Sequence, residues 1–173
     1  TGVGQHVIEV LNGLRARSDC DLRVLLAKDQ VVLWEAQYEA HGWASLEVVV
    51  LPLSNKGNRF LHGVTSIWSL DSICAGRDLV YSPMELLLGL KRIPFVNTIH
   101  GIPYFEKSLP SHMYRAAFCR WERIKQAWFL RRCRQLCSLS LPVSDYLKDQ
   151  LVDRFQFDPA SLHTVYNGAG DCF

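Results

Sequence analysis

The chain has 173 residues, 49% of them apolar and 21% charged, the balance of one folded globular domain rather than a disordered tail. Nineteen Lys and Arg against seventeen Asp and Glu leave a net charge of +2, too little for a field that grips a polyanion. A domain of this length removes about 70% of its unfolded surface from water, so a disulfide scaffold is excluded, and so are a collagen-like repeat and a bare linker.

Val3 to Arg17 reads as a helix, with Val3, Val7, Leu11 and Leu14 on one stripe and Glu9, Asn12 and Arg15 away from it. Leu22–Ala27 is an apolar run of strand length, and Val31–Ala40 a second helix closed by His41-Gly42. Leu46–Leu53 is β-branched and nearly uninterrupted, the pattern of a strand covered on both faces. A polar loop from Ser54 to Asn58 leads into an expected helix from Arg59 to Ala75. Short strands follow at Asp78–Ser82 and Ile93–Ile99, the first stopped by Pro83, the second by a loop at His100-Gly101-Ile102-Pro103.

A long helix is expected from Ser111 to Cys133, with Tyr114, Ala117, Phe118, Trp121, Ile124 and Trp128 at i, i+3, i+4 spacing. Leu136–Val143 is the next strand, Ser144-Asp145 caps a helix to Phe155, and Leu162–Tyr166 is the last strand. Strand and helix alternate throughout, which implies βαβ units. The expected fold is a doubly wound, Rossmann-like α/β domain with a parallel sheet and helices on both faces.

No apolar run reaches the ~18–20 residues that a membrane-spanning helix needs. The opening residues show no basic region followed by an apolar stretch, so no signal peptide is visible in them, and they begin inside a motif, so residues upstream of Thr1 are expected. Six cysteines (Cys20, Cys74, Cys119, Cys133, Cys137 and Cys172) form no C-x-x-C pair and have no Cys/His cluster beside them. Buried reduced thiols in a cytoplasmic compartment are expected, and no metal site.

Ligands of open parallel sheets bind outside the carboxyl ends of the strands. Three segments meet that rule. Gly2, Val3 and Gly4 open a helix, where backbone N–H groups and the helix dipole suit an anion; a tight strand-to-helix turn is the plainer explanation. His100 directly follows an apolar strand, where an imidazole can bond a polar ligand or exchange protons near neutral pH, or merely cap the strand. Tyr104, Phe105, Glu106 and Lys107 extend that loop with aromatic and charged groups suited to carbohydrate hydroxyls. Glu85 follows the third strand end. It can accept a hydroxyl hydrogen bond, although a solvated carboxylate at a helix start is the expectation. Arg115, Arg120, Arg123, Lys125, Arg131, Arg132 and Arg134 surround the aromatic stripe of the long helix. A membrane-surface helix has this composition, but a core-facing stripe with a solvated basic face is expected. Nucleic-acid binding is disfavoured by the small net charge and the lack of a helix-turn-helix or RNP pattern.

In this order the segments resemble the N-terminal domain of the glycosyltransferase family 4 enzymes, the mannosyltransferase-like group with the GT-B fold. Thr1-Gly2-Val3-Gly4-Gln5-His6 resembles the glycine-rich loop after that family's first strand. Asp78-Leu79-Val80-Tyr81-Ser82 and Pro94-Phe95-Val96-Asn97-Thr98-Ile99-His100 resemble its pair of strands ending in Ser and His. Leu141-Pro142-Val143-Ser144-Asp145 and Thr164-Val165-Tyr166-Asn167-Gly168 resemble the segments that close the domain and leave it.

The resemblance implies an acceptor-binding domain at 1–166, a crossover starting at 167–173, and a C-terminal domain that holds a nucleotide-sugar donor and docks on the cleft face. It implies transfer with retention of anomeric configuration and without a metal or other cofactor. By it, Gly2, Val3 and Gly4 meet the donor diphosphate, and His100 sits at the reacting centre. Gln5, Glu85, Tyr104, Glu106 and Lys107 are the candidate acceptor contacts. Many members have His-Asp where this chain has His100-Gly101, so that Asp's role is absent or moved. Without the donor domain, no turnover is expected of these residues alone. The acceptor is expected to be a glycan or lipid-linked; a peripheral inner-membrane contact through residues 111–134 is the lesser alternative to the core-facing stripe. The competing expectation is a non-catalytic Rossmann-like module that binds a nucleotide or a partner by itself.

Overall fold

A computed structural model describes residues 2–54, 56–57, 69–106 and 116–167. The chain divides into two compact units, Thr1–Trp68 and Ser69–Phe173. The architecture is α/β with parallel pairing throughout the described strands, the class that the strand–helix alternation predicts.

In the first unit, helix α1 (Gly2–Arg15) precedes strand β1 (Arg23–Ala27), helix α2 (Val31–Tyr38) and strand β2 (Glu47–Leu51). The two strands pair in parallel from Arg23↔Glu47 to Ala27↔Leu51. The stripe Val3, Val7, Leu11 and Leu14 is half-buried, while Glu9 and Arg15 lie exposed, as the periodicity requires. Trp43 is the buried anchor, stacked on Trp34 with 5.0 Å between ring centres. Its indole N–H donates to Asn12 Oδ1 at 2.8 Å, which ties α1 to the turn after α2. That turn contains Gly42 at φ +67°, a left-handed conformation that favours glycine.

In the second unit, strands β3 (Val80–Ser82), β4 (Phe95–Ile99) and β5 (Leu139–Pro142) form a parallel sheet in that spatial order. All five residues of β4 are buried, as befits the strand flanked on both sides. Helix α3 (Ala116–Leu136) connects β4 to β5, and helix α4 (Asp145–Phe155) follows β5. Ser144 is the N-cap of α4, its Oγ accepting from the Leu147 N–H at 3.2 Å. Leu147, Leu151 and Phe155 recur every four residues and are buried. They meet Phe129, Leu130 and Cys133 of α3 in one core with Ile99, Ile102 and Leu162. Asn97 of β4 donates to Cys133 Sγ and accepts from Ser140 Oγ, so the polar groups inside this core are paired. Burial pushes the Cys133 thiol well above its ordinary pKa.

Four expectations need correction. Much of the expected helix at 59–75 lies outside the described residues, and 69–76 forms turns rather than helix. There Asp71 accepts hydrogen bonds from the backbone N–H groups of Lys91, Arg92 and Ile93, a tertiary role that replaces helical pairing. Residues after Pro83 do not start a helix but run irregularly to Pro94. The expected last strand is an extended edge segment, with one bridge, Ser140↔Leu162, and hydrogen bonds from His163 and Val165 to β5. Finally, the aromatic stripe of α3 does not face the core. Phe118, Trp121, Ile124 and Trp128 are exposed, and the buried side of the helix is Phe129, Leu130 and Cys133.

Candidate functional site

His100 leaves the carboxyl end of β4, and two features fix it there. Its backbone N–H donates to Glu85 Oε1 at 3.1 Å, and the same oxygen receives the Gly101 N–H at 3.4 Å. Its ring Nε2 donates to the Pro83 carbonyl at 2.9 Å, and because a carbonyl only accepts, this bond places a proton on Nε2. Pro83 and Glu85 both belong to the bend after β3. The ends of two neighbouring strands are therefore stitched together around the imidazole.

The rest of the loop after β4 is tied down from above. Ile102 is buried, and Pro103–Phe105 forms one turn of 3₁₀ helix. Gln126 Nε2 donates to the Gly101 carbonyl at 3.1 Å, Arg123 to the Tyr104 carbonyl, and Arg154 to the Phe105 carbonyl at 2.9 Å. Three backbone acceptors of the loop are thus held by α3 and α4, and Tyr104 and Glu106 are half-buried within it. Behind His100, the Tyr81 hydroxyl and Thr98 Oγ1 pair at 2.8 Å, and burial raises the Tyr81 pKa. At the end of β5, Asp145 accepts from Thr164 and Tyr166, bonds that lower its own pKa.

Of the expected site residues, His100, Glu85, Tyr104 and Glu106 lie in the second unit, with His100 and Glu85 in direct contact. Lys107 lies outside the described residues. Gly2, Val3, Gly4 and Gln5 belong to the first unit and form the start of α1. No carboxylate occupies that first turn, which leaves the positive end of the helix uncompensated by its own side chains. A Cβ built on Gly2 meets nothing within 4 Å, and Gly2 and Gly4 have no positive φ. The backbone conformation therefore does not demand glycine at either position. Gln5 bonds to Glu9 one turn on.

Sequence reading missed the parts that hold the loop: Arg123, Gln126 and Arg154. Arg123 reads as one cation of a solvated basic face and nothing singles out Arg154; only Gln126, polar beside the buried residues Phe129, Leu130 and Cys133, carries a signal. A depression of about 550 Å³, bordered by Asp71, Arg77, Lys91 and Arg92, lies at the opposite, N-terminal end of β3 and β4. Among the described residues, no group of three or more His, Cys, Asp or Glu side chains is placed to hold a metal. None of the described helices is long and apolar enough to cross a membrane.

A parallel α/β unit with an imidazole and a pinned loop at its carboxyl strand ends has the architecture in which ligands are generally bound outside those ends. Residues 1–169 match the family model for Glycosyltransferase Family 4, and the chain belongs to that family. A comparison with curated proteins finds no match.

Proposed function

We propose that the chain is the acceptor-side half of a retaining glycosyltransferase of the GT-B type, working on a nucleotide-sugar donor and a glycan or lipid-linked acceptor. The family match over residues 1–169 carries this reading. The order of motifs resembles that of the mannosyltransferase-like group, which makes a mannosyl donor the first to test. Donor recognition falls to a second Rossmann-like domain facing the strand ends. A peripheral position at a membrane, through the expected helix at 111–134, of which residues from Ala116 on are described as α3, belongs to the same reading.

The chemistry follows from charge. As the bond between sugar and nucleoside diphosphate breaks, negative charge gathers on the leaving group. The first turn of α1, with Gly2 and Gly4 bare of side chains and no carboxylate nearby in sequence, offers aligned N–H dipoles to that charge. His100, its ring held through Nε2, presents a fixed imidazole edge toward the transferred sugar. Glu85 acts here as a positioning residue through the His100 and Gly101 amides, and it remains a candidate acceptor contact together with Gln5, Tyr104, Glu106 and Lys107.

The experiment is a transfer assay on the protein carrying this domain, with GDP-mannose, UDP-glucose and UDP-N-acetylglucosamine against soluble and lipid-linked glycans. The reading predicts a product of retained anomeric configuration, and a loss of about 10²-fold or more in kcat for His100→Ala. No product with any donor, or a His100→Ala variant as fast as wild type, contradicts it.

A further inference from the structure

The amino ends of β3 and β4 carry a hollow that the strand-end site does not use. Its volume of about 550 Å³ falls within the ~300–1,000 Å³ of small-molecule sites. Arg77 comes to it from the turn before β3, and Lys91 and Arg92 from the turn before β4. Lys91 and Arg92 are exposed, and Arg77 is half-buried. Among the described residues at the border, Asp71 is the one carboxylate. Three cations against one anion give this hollow the same net charge, +2, as the whole chain.

Asp71 does not cancel those cations, because its carboxylate is engaged elsewhere. One of its oxygens accepts from the backbone N–H groups of Lys91, Arg92 and Ile93 at 3.1–3.3 Å, and the other from the Ser69 hydroxyl. These bonds fix the turn before β4 and so hold the Lys91 and Arg92 side chains at the border. The turn before β3 is fixed in its own way. Gly76 takes φ +77°, a conformation that favours glycine, and the Arg77 N–H closes the turn on the Cys74 carbonyl at 3.2 Å. Ser72, exposed at the same border, adds a hydroxyl.

Two turns from separate parts of the chain thus gather cations around one hollow, against the repulsion of like charges. An anion removes that repulsion. Guanidinium and ammonium groups match phosphate oxygens in charge and in hydrogen-bond donors. The hollow is larger than a bare ion fills, so a phosphate attached to further atoms fits it better than free phosphate. Its concavity suits a small molecule rather than a bilayer.

We propose that the depression at the amino ends of β3 and β4 binds a phosphorylated small molecule, with Arg77, Lys91 and Arg92 on the phosphate and Ser72 beside it. The five residues of β4 separate it from His100, a span of about 16 Å. It is therefore distinct from the strand-end site, and the proposal does not rest on the transferase reading.

The test is a lysine footprint of the protein that carries this domain. Lys91 is acetylated with a limiting active ester, and its rate is read by mass spectrometry. The additions are inorganic pyrophosphate, sulfate at equal ionic strength, and phosphatidylglycerol vesicles. Pyrophosphate should slow Lys91 about tenfold at saturation, while Lys125 on α3 reacts at an unchanged rate. Sulfate should need about tenfold more for half protection, and Arg92→Gln should raise the pyrophosphate needed by about tenfold. The Arg92 side chain is exposed, so the variant should melt as wild type does. An unprotected Lys91 in the wild-type protein overturns the proposal without any variant. Equal protection by sulfate overturns it too, leaving an adventitious ion only. So does protection by vesicles without protection by pyrophosphate, which assigns the cations to a membrane surface. An Arg92→Gln variant protected like wild type removes the assignment of the phosphate to this border.

Discussion

One oxygen of Glu85 receives the backbone N–H groups of both His100 and Gly101, so a side chain from the bend after β3 closes the end of β4. A carboxylate acceptor makes these bonds stronger than neutral ones. Glu85→Ala leaves two half-buried amides without that acceptor and should cost about 1–3 kcal/mol of stability. Glu85→Gln keeps an acceptor oxygen and should lose less, about 1 kcal/mol. Denaturant melts of the two variants check the order; equal losses, or none, contradict the closure.

Asp71 plays the same part at the other end of the strands. Its carboxylate takes the Lys91, Arg92 and Ile93 amides and the Ser69 hydroxyl, and these bonds, the Ser69 one foremost, lower its pKa from 3.8 to about 2. The folded state prefers the ionised form, so the stabilisation is complete above pH 3.8 and disappears as pH falls toward 2. Asp71→Asn should therefore lower the melting temperature at pH 7, and the gap to wild type should close over that acid window. Water screens the half-exposed carboxylate, which holds the effect to about 1 kcal/mol. A gap that is constant with pH contradicts the assignment.

The orientation of α3 can be read from stability alone. Leu130 is 1% exposed and Ile124 54%. Leu130→Ala should cost about 2–5 kcal/mol, and Ile124→Ala about 0.5 kcal/mol or less. The reverse order turns the helix over and removes the basis for its outer stripe.

Ser144 gives the plainest local test. Its Oγ is the acceptor for the Leu147 N–H at the start of α4, and Ser144→Ala should cost about 0.5–2 kcal/mol, whereas Ser144→Asp should recover most of it. A hydrogen-exchange rate at Leu147 unchanged in the alanine variant contradicts the cap.

The contrast between Ser144 and Glu85 shows where sequence reasoning works here. The cap is written within four residues, as is the apolar run that makes β4, and both are legible because the physics is local. Glu85 bonds a backbone fifteen positions away, and Asp71 one twenty away, so no spacing announces either. Pro83 and Glu85 together imitate a helix start that never forms, because tertiary hydrogen bonds take both groups. In α3 two apolar stripes satisfy the helical period, and the more aromatic one is the wrong guide. What decides is that Leu130 and Cys133 fit against Leu147 and Leu151 of the next helix, information held in no single segment. His100 was legible as a strand-end imidazole; its partner Pro83 was not, since any carbonyl could have served.

The account depends most on whether the imidazole edge of His100 meets the transferred sugar. Amide chemical shifts of His100 and Gly101 in the protein that carries this domain together with its donor domain, followed by NMR while GDP-mannose and the two UDP-sugars are titrated, address this directly. The prediction is that both amides shift along one saturation curve for at least one of the three donors. No shift at either amide with any of the three contradicts it.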